Sequence, residues 1–253
     1  MTAILSADSL TIRFGGLAAV DKVSFEVQER EVYTIVGPNG AGKTTILNMI
    51  SRINHPSEGR ICFLGNDITE MPAYRIAGIG IARTFQNIEL FEHASVLHNL
   101  LVGRHCKSRT NVLQELAFLP SVRKAEMVHR EKIEEVMDFL DLQPYRDQYI
   151  ANLPYGVRKI VELGRALCTE PKLLLLDEPA SGLNVEETEN VAFWIDDIKN
   201  DLGITILMVE HDMSLVSEVS DRVLAMNDGK MIAEGTSAEV QSDPEVLRAY
   251  LGA

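Results

Sequence analysis

The stretch Gly37-Pro38-Asn39-Gly40-Ala41-Gly42-Lys43-Thr44-Thr45 decides how the rest of this sequence is interpreted. A loop that wraps a phosphate group must point several backbone N–H groups inward, and bulky side chains would block that approach. The three glycines supply the space and the unusual backbone angles that such a loop needs. Lys43 adds a positive charge for the β- and γ-phosphates, and Thr44 offers a hydroxyl to Mg²⁺. The spacing is that of the Walker A motif, or P-loop, and predicts nucleotide binding.

The residues on either side of the loop favour this interpretation over a glycine-rich turn that matches by chance. Val32-Tyr33-Thr34-Ile35-Val36 predicts a buried strand that leads into the loop. Ile46, Met49, Ile50 and Ile53 follow at helical spacing. The predicted helix therefore starts at the phosphates, where its free N–H groups and its dipole favour anions.

Size and charge narrow the classes of protein to which the chain can belong. Its 253 residues suggest one large domain, or one domain with an inserted lobe. A hydrophobic fraction of 46% is ordinary for a globular protein with a sizeable core. Lys and Arg number 24 against 37 Asp and Glu, so the net charge is −13. Because phosphate groups repel an acidic surface, we expect no nucleic-acid partner.

No segment of the sequence predicts secretion or membrane insertion. We find no basic N-terminal segment followed by an apolar run, and no apolar stretch near the ~20 residues that cross a bilayer. Cys62, Cys106 and Cys168 are widely spaced, which favours free thiols in a reducing compartment. We therefore expect a soluble protein whose membrane role, if any, comes through a partner.

Alternating apolar and polar residues predict strands around the P-loop. Leu10–Phe14 and Val23–Val27 predict a pair of strands, and Gly59–Leu64 predicts a further one. Near the other end, Asn227-Asp228-Gly229 predicts the turn of a β-hairpin. Phe14 has two interpretations: its ring stacks on a purine base, or it packs in the core.

Between residues 88 and 161 the pattern becomes helical. Ser95 predicts the N-cap of a helix over Val96–Val102. A stripe at helical spacing predicts another helix, formed by Ile133, Val136, Met137 and Leu140. Three further leucines are expected to pack in the same lobe, namely Leu113, Leu116 and Leu119. We therefore predict a helical lobe at 88–161, inserted between two parts of an α/β core at 1–87 and 162–253.

A strand, a helix and a second strand follow the lobe. The four leucines Leu173-Leu174-Leu175-Leu176 suit a central parallel strand that is covered on both faces. Asn184 and Glu187 have the spacing of a capping box. The helix that they begin has a predicted buried stripe of Val191, Trp194, Ile195, Ile198 and Leu202. Ile204–Val209 is the second strand, and a right-handed crossover makes the two strands parallel.

The ends of these parallel strands carry residues suited to phosphate chemistry. Asp177, Glu178 and His211 reach the same edge of the sheet, where ligands bind in open α/β sheets. Asp177 has the Walker B position, where a carboxylate holds Mg²⁺ directly or through water. Glu178 is placed to orient or deprotonate an attacking water. His211 either contacts the γ-phosphate or is a strand-end histidine without a role.

Six motifs in a fixed order give the chain a resemblance to the ATP-binding-cassette (ABC) ATPases that covers essentially all of it. They are Walker A at Gly37–Thr45, the Q-loop glutamine Gln86, the signature at Leu153–Val157, Walker B at Leu173–Glu178, the D-loop at Ser181–Asn184 and the switch histidine His211. The resemblance implies an α/β, RecA-like P-loop NTPase core with an N-terminal antiparallel β subdomain and an inserted helical lobe.

The same resemblance implies roles for individual residues. ATP and Mg²⁺ are the implied cofactors, with adenine stacked on Phe14 and with Gln86 contacting Mg²⁺ and sensing the transporter. Lys43, Glu178 and His211 complete the implied catalytic set. Two cassettes are implied to sandwich two ATP molecules, each Walker A facing the signature of the other subunit. The signature residues of this chain are Leu153, Pro154, Tyr155 and Gly156.

Finer details resemble the cassettes of branched-chain amino-acid importers. They include Arg83-Thr84-Phe85-Gln86, Glu210-His211-Asp212-Met213 and the closing Ala249-Tyr250-Leu251-Gly252. This implies a second ABC ATPase subunit, two polytopic membrane subunits and an extracytoplasmic substrate-binding protein, with this chain on the cytoplasmic face of the inner membrane. Urea importers use closely similar cassettes, so an importer of urea or of another amino acid or amide remains an alternative.

Two motifs depart from the family pattern. The usual signature Leu-Ser-Gly-Gly-Gln is here Leu153-Pro154-Tyr155-Gly156-Val157, so the serine hydroxyl is missing. Pro154 suits the first position of a helix. Asn184 stands where the D-loop usually has aspartate. These departures concern the composite site that this chain completes in its partner.

Two other classes compete with a transport motor. A non-transport ABC protein of translation or DNA repair generally has tandem cassettes or a long coiled-coil insertion, whereas this chain has one cassette and a short lobe. A nucleotide-dependent regulator without turnover would not need the complete set of Lys43, Asp177, Glu178 and His211.

Overall fold

The computed structural model describes residues 3–107 and 120–251, and the internal contacts of the chain define two units. The first unit, the core, combines Met1–Gln86 with Lys172–Ala253, and the second, the lobe, is Asn87–Pro171. The predicted lobe, 88–161, begins next to this boundary. The predicted end at residue 161 lies inside the helix Tyr155–Leu167. That helix belongs as a whole to the second unit, which ends at Pro171.

The regular elements follow one another along the described chain. The strands are β1 (Ala3–Phe14), β2 (Leu17–Gln28), β3 (Val32–Val36), β4 (Glu58–Phe63), β5 (Asn66–Asp67), β6 (Ile81–Arg83), β7 (Leu173–Asp177), β8 (Thr205–Val209), β9 (Arg222–Asn227) and β10 (Lys230–Gly235). The helices are α1 (Lys43–Ile50), α2 (Ile76–Ile79), α3 (Val96–Arg104), α4 (Pro120–Phe139), α5 (Tyr155–Leu167), α6 (Val185–Asn200), α7 (Met213–Val219), α8 (Ser237–Ser242) and α9 (Pro244–Leu251). Short 3₁₀ turns lie at Ala73–Arg75, His105–Lys107, Gln143–Tyr145 and Ile150–Asn152.

The core contains a four-stranded antiparallel sheet in the order β2-β1-β4-β5. The predicted pairing of the first two strands is confirmed. They are joined at Gly15-Gly16, a two-residue turn in which both φ angles are positive, as glycine allows. Strand β2 alternates buried and exposed residues along most of its length, because one face packs inward and the other faces solvent.

A second, six-stranded sheet has the order β10-β9-β3-β8-β7-β6. Its strands are parallel except for the hairpin of β9 and β10, and that predicted hairpin is confirmed. Every residue of β3, β7 and β8 is buried, which explains why these strands are apolar runs rather than alternating ones. One apolar cluster joins this sheet, the antiparallel sheet and α1.

The predicted strand–helix–strand unit is confirmed, with β7 and β8 parallel. The capping box at the start of α6 is also confirmed: the Asn184 side chain accepts from Glu187 N, and the Glu187 carboxylate accepts from Asn184 N, each at 3.0 Å. Leu202 was predicted in the buried stripe, and this was wrong. The helix ends at Asn200, so Leu202 lies beyond it and is 46% exposed.

In the lobe, Ser95 caps α3 as predicted, accepting from His98 N at 3.3 Å. Ile133, Met137 and Leu140 are buried. Helices α3 and α5 pack closely. The predicted contacts of Leu113, Leu116 and Leu119 lie outside the described residues.

Cys62, Cys106 and Cys168 carry free thiols, as predicted, and Cys168 is buried. Among residues 3–107 and 120–251, no helix is both long enough and apolar enough to cross a membrane.

The close contact of α3 with α5 predicts that Gly103→Ala destabilises the lobe. A Cβ at Gly103 would lie 2.3 Å from the Arg165 carbonyl oxygen and 3.0 Å from Cys168 Cβ. Relieving such overpacking typically costs about 1–3 kcal/mol of unfolding free energy. Urea denaturation followed by far-UV circular dichroism measures the loss.

The matched control is Gly78→Ala, because a Cβ at this helical glycine meets no atom within 4 Å. We expect this change to be neutral or to stabilise by up to ~1 kcal/mol, since alanine loses less backbone entropy. Equal denaturation midpoints for the two variants would contradict the close approach of α3 to α5.

Candidate functional site

The loop after β3 needs glycine because other backbone lies against it. A Cβ at Gly37, whose φ is 149°, would lie 2.2 Å from the Met226 carbonyl oxygen. A Cβ at Gly42, whose φ is 99°, would lie 2.5 Å from the Ala19 carbonyl oxygen. Both glycines therefore let the loop fit between β9 and β2.

The remaining predicted loop residues surround the start of α1. Gly40 has a φ of 84° and faces open space, next to the exposed Asn39, while Ala41 is buried. Helix α1 begins at Lys43, so its free N–H groups open towards the loop. Thr44 and Thr45 are half-buried in its first turn.

Lys43 folds back into the loop. Its Nζ donates to the carbonyl oxygen of Gly37 at 2.8 Å and to that of Pro38 at 3.1 Å. Burial lowers the pKa of Lys43, while the negative charges of Glu178, Asp177 and Glu210 act in the opposite direction. The loop thus holds a buried cation by two of its own carbonyl groups.

Asp177, at the end of β7, is 2% exposed and has a separate partner for each carboxylate oxygen. Its Oδ1 accepts from Thr44 Oγ1 at 3.3 Å, and its Oδ2 accepts from Arg83 Nη2 at 2.8 Å. The predicted Walker B carboxylate therefore lies beside the P-loop hydroxyl.

Glu178, the next residue, lies between two other predicted site residues. Its Oε2 accepts from Gln86 Nε2 at 3.0 Å and is 3.8 Å from His211 Nδ1. The φ of Glu178 is 50°, an uncommon angle for a residue other than glycine, and its N–H donates to the Val209 carbonyl oxygen at 2.9 Å. Such backbone strain is often found at functional sites. The structure thus brings Gln86, Glu178 and His211 together.

Glu210 had no predicted role, yet it organises this edge of the sheet. Its carboxylate is fully buried and accepts from three backbone N–H groups, those of Ala180 at 3.0 Å, His211 at 2.8 Å and Asp212 at 3.2 Å. These bonds join the segment after Walker B to the start of α7. Its only sequence signal is a carboxylate directly after a buried strand.

Arg83 was noted only as part of a motif, and its role was missed. It lies at the end of β6, 6% exposed, and its guanidinium reaches Asp177, Asn48 of α1 and Ser51, the residue that caps the end of α1. A basic residue that ends a buried strand is the signal that could have identified it.

The C-terminal helix also reaches the P-loop. Val246 of α9 belongs to an apolar cluster with Val36, the residue before Gly37. One turn later, burial raises the pKa of the Tyr250 hydroxyl, and a hydrogen bond with the Gly37 backbone opposes this rise.

Phe14 is 52% exposed, which excludes the core interpretation of its ring. It pairs with Leu17 across the β1–β2 turn. Two residues further along β2, the Ala19 carbonyl oxygen is the one that would meet a Cβ on Gly42. The ring is therefore presented to solvent near the P-loop.

The signature segment is in the lobe. Helix α5 begins at Tyr155, so the prediction that Pro154 is its first residue was wrong by one position. Pro154 is instead the N-cap, with an extended ψ of 154° and no side-chain cap. Leu153 and Gly156 are buried, and Tyr155 is 46% exposed.

The donor atoms at this edge fit Mg²⁺. Asp177 Oδ1 and Thr44 Oγ1 are hard oxygen donors beside the P-loop, and Gln86 carries an amide oxygen, which are the donor types that Mg²⁺ prefers. Within the described ranges, no group of three or more His, Cys, Asp or Glu residues could hold a metal ion. Mg²⁺ usually takes one or two carboxylates and completes its shell with water and phosphate oxygens.

Comparison with known proteins supports the same family over nearly the whole chain. A family profile described as ABC transporter matches residues 20–181, and one described as branched-chain amino acid ATP-binding cassette transporter matches residues 230–253. The chain is 39% identical to the high-affinity branched-chain amino acid transport ATP-binding protein LivG of Salmonella typhimurium, over 98% of each protein. It is 38% identical to the corresponding protein BraF of Pseudomonas aeruginosa, again over 98% of each.

A solved structure leads to the same family. The ADP conformation of an ATP-binding cassette from an ABC transporter superposes with a TM-score of 0.87 at 34% identity, covering 100% of both chains. The predicted α/β P-loop fold and the resemblance to branched-chain amino-acid cassettes are thereby confirmed. On sequence, fold and motif order, the chain belongs to the ATP-binding cassettes of the ABC transporter family.

Proposed function

We propose that this ABC ATPase powers an importer of branched-chain amino acids. The observation that carries its chemistry is the convergence of Thr44, Gln86, Asp177, Glu178 and His211 at one edge of the parallel sheet. The choice of solute is supported by relatives named as branched-chain amino acid transport proteins, which match the chain over nearly its full length.

In the proposed reaction, the residues at this edge bind the phosphates, hold Mg²⁺ and activate the attacking water. Lys43 leaves the carbonyl groups of its own loop and binds the β- and γ-phosphates. Thr44, Asp177 and Gln86 would hold Mg²⁺, which would neutralise charge on the phosphates. Glu178 orients or deprotonates the attacking water. The hydrogen bond from Gln86 holds the Glu178 carboxylate in place for this role.

His211 serves as the contact to the terminal phosphate in this proposal. Its side chain is about half exposed, and Nδ1 lies 3.6 Å from the buried Glu210 carboxylate. Because Glu210 also accepts from the backbone N–H of His211, it fixes the start of the histidine loop. The imidazole can therefore turn towards a phosphate without movement of its backbone.

The proposal includes a membrane assembly. A second ABC ATPase subunit pairs with this chain, and its Walker A faces Leu153–Gly156 of the lobe. Two polytopic membrane subunits form the path of the solute, and an extracytoplasmic protein delivers it. In this arrangement the chain works at the cytoplasmic face of the inner membrane.

The function is tested with the whole complex, reconstituted in vesicles. We expect Glu178→Gln to retain ATP binding but to lower both ATP hydrolysis and leucine uptake by roughly 10²–10⁴-fold, the usual contribution of a positioned general base. Lys43→Ala should weaken ATP binding itself. Phosphate release and uptake of labelled leucine give the two rates.

Glu29→Gln is the control, because Glu29 is exposed in the turn before β3, at the opposite end of that strand from the P-loop. Near-normal hydrolysis in the Glu178→Gln complex would contradict the catalytic role. Hydrolysis that drives urea uptake but no leucine uptake would contradict the proposed solute.

Phe14 is expected to contribute through stacking on adenine. Base–aromatic stacking is typically worth about 1–3 kcal/mol, so Phe14→Ala should weaken ATP binding by roughly five- to more than a hundredfold. Because the ring is half exposed, the melting temperature of the nucleotide-free protein should hardly change. Tyr74→Ala, which removes another exposed aromatic ring, is the matched control. A large fall in melting temperature without loss of affinity would contradict stacking.

The altered signature predicts unequal ATP sites if the partner has an ordinary Leu-Ser-Gly-Gly signature. Pro154 lacks the serine hydroxyl, and a hydrogen bond to a charged group is typically worth ~1.5–3 kcal/mol. That corresponds to roughly a tenfold to hundredfold slower turnover at the partner's Walker site. The site that contains Lys43 would then perform most of the hydrolysis.

Replacing the Walker A lysine in one subunit at a time within the complex measures this asymmetry. Lys43→Ala should abolish most ATPase activity, and the equivalent change in the partner should leave a substantial part. Equal losses would contradict unequal sites.

A further inference from the structure

The Arg83 guanidinium joins three elements of the core beneath the proposed metal site. From the end of β6, its Nη2 donates to Asp177 Oδ2 of β7 at 2.8 Å. Its Nη1 donates to Asn48 Oδ1 of α1 at 2.7 Å and to Oγ of Ser51, the C-cap residue of that helix, at 2.8 Å. Since α1 follows directly from the P-loop, Arg83 connects the Walker B strand with the helix that carries Thr44.

This arrangement fixes the rotation of the Asp177 carboxylate. Oδ2 is bound to a buried cation, so Oδ1 is the oxygen left to face Thr44, at 3.3 Å from its hydroxyl. Rotation that exchanged the two oxygens would break a charge-assisted hydrogen bond, one of the stronger kinds in proteins.

The geometry is specific to arginine. One planar guanidinium donates in two directions at once, to the Asp177 carboxylate and to the side chains of Asn48 and Ser51 at the end of α1. The point charge of a lysine could not do this in the same fixed arrangement. The Phe85 ring lies against the Arg83 guanidinium, with the ring centroid 5.1 Å from Arg83 Cζ. This contact further restricts the movement of the guanidinium.

The burial of Arg83 is hard to explain as a stabilising device alone. Buried ion pairs often add little net stability, because both charges lose their hydration. Arg83 Nε is also buried and finds no hydrogen-bond acceptor in the described part of the chain. What the pair does supply is a fixed orientation for Asp177.

We propose that Arg83 is a positioning residue for Mg²⁺ binding: it holds Asp177 by Oδ2 so that Oδ1 faces Thr44 and the metal. This inference rests on the proposed metal role of Asp177 and Thr44. It adds a residue that does not touch the metal or the nucleotide and acts through Asp177.

The test measures ATP binding to the purified chain over a series of Mg²⁺ concentrations and in EDTA, with a fluorescent ATP analogue as the probe. Removing a group that orients a metal ligand typically weakens metal affinity by 10–100-fold. Arg83→Gln should therefore raise the Mg²⁺ concentration for half-maximal enhancement of binding by about that factor, and leave binding in EDTA unchanged. Arg83→Lys, which retains the charge, should restore part of the affinity.

Two further variants separate positioning from folding. Arg75→Gln removes an exposed arginine and should leave the Mg²⁺ dependence unchanged. Asn48→Ala keeps the pair with Asp177 but removes one anchor of the guanidinium, so we expect a smaller shift in the same direction. Melting temperatures show whether Arg83→Gln folds. If it does not, Asn48→Ala provides the test.

An unchanged Mg²⁺ dependence in folded Arg83→Gln would overturn the inference, and so would an unchanged dependence in Asn48→Ala if Arg83→Gln fails to fold. These outcomes leave the proposed ATPase site intact. Wild-type binding without any dependence on Mg²⁺ would instead overturn the metal role of Asp177, and the inference with it.

Discussion

The parallel alignment of β3, β8, β7 and β6 is the constraint on which the rest of the site depends. Because neighbouring parallel strands end at the same edge, four distant segments of the chain meet there. They are the P-loop, the Glu210–His211 corner, the two Walker B carboxylates and the Arg83–Gln86 segment. Mostly apolar runs form these strands, since β3, β7 and β8 are buried on both faces.

Two kinds of contact turn this shared edge into a specific site. The first is close backbone packing, in which Gly37 and Gly42 lie against carbonyl groups of β9 and β2. The second is a set of buried charges with defined partners: Asp177 with Arg83, and Glu210 with three backbone N–H groups. Arg83 and Gln86 lie on one short segment, so that segment contacts both carboxylates at the end of β7, Asp177 and Glu178. Its last residue, Gln86, ends the first part of the core, and the chain enters the lobe at Asn87.

Local patterns in the sequence were enough to predict most of the fold. The β7–α6–β8 unit, the capping box of Asn184 and the N-cap Ser95 each depend on residues close in the chain, and each is confirmed.

Leu202 and Pro154 were misplaced because helix ends are set by capping geometry rather than by apolar spacing. The roles of Arg83 and Glu210 were missed because their partners are far away in sequence; Arg83 and Asp177 are 94 positions apart. The catalytic roles themselves remain predictions that came from the spacing of the P-loop, the placement of carboxylates at strand ends and the family resemblance.

We expect this edge of the sheet to bind ATP and Mg²⁺ while Arg83 holds Asp177. A crystal structure of the Glu178→Gln chain grown with ATP and Mg²⁺ tests it most directly. We predict phosphates enclosed by Gly37–Thr45 and an ion at Thr44 and Asp177 Oδ1, while Oδ2 stays on Arg83. Phosphates bound outside the loop, or an ion on Oδ2 with Arg83 displaced, would contradict the account.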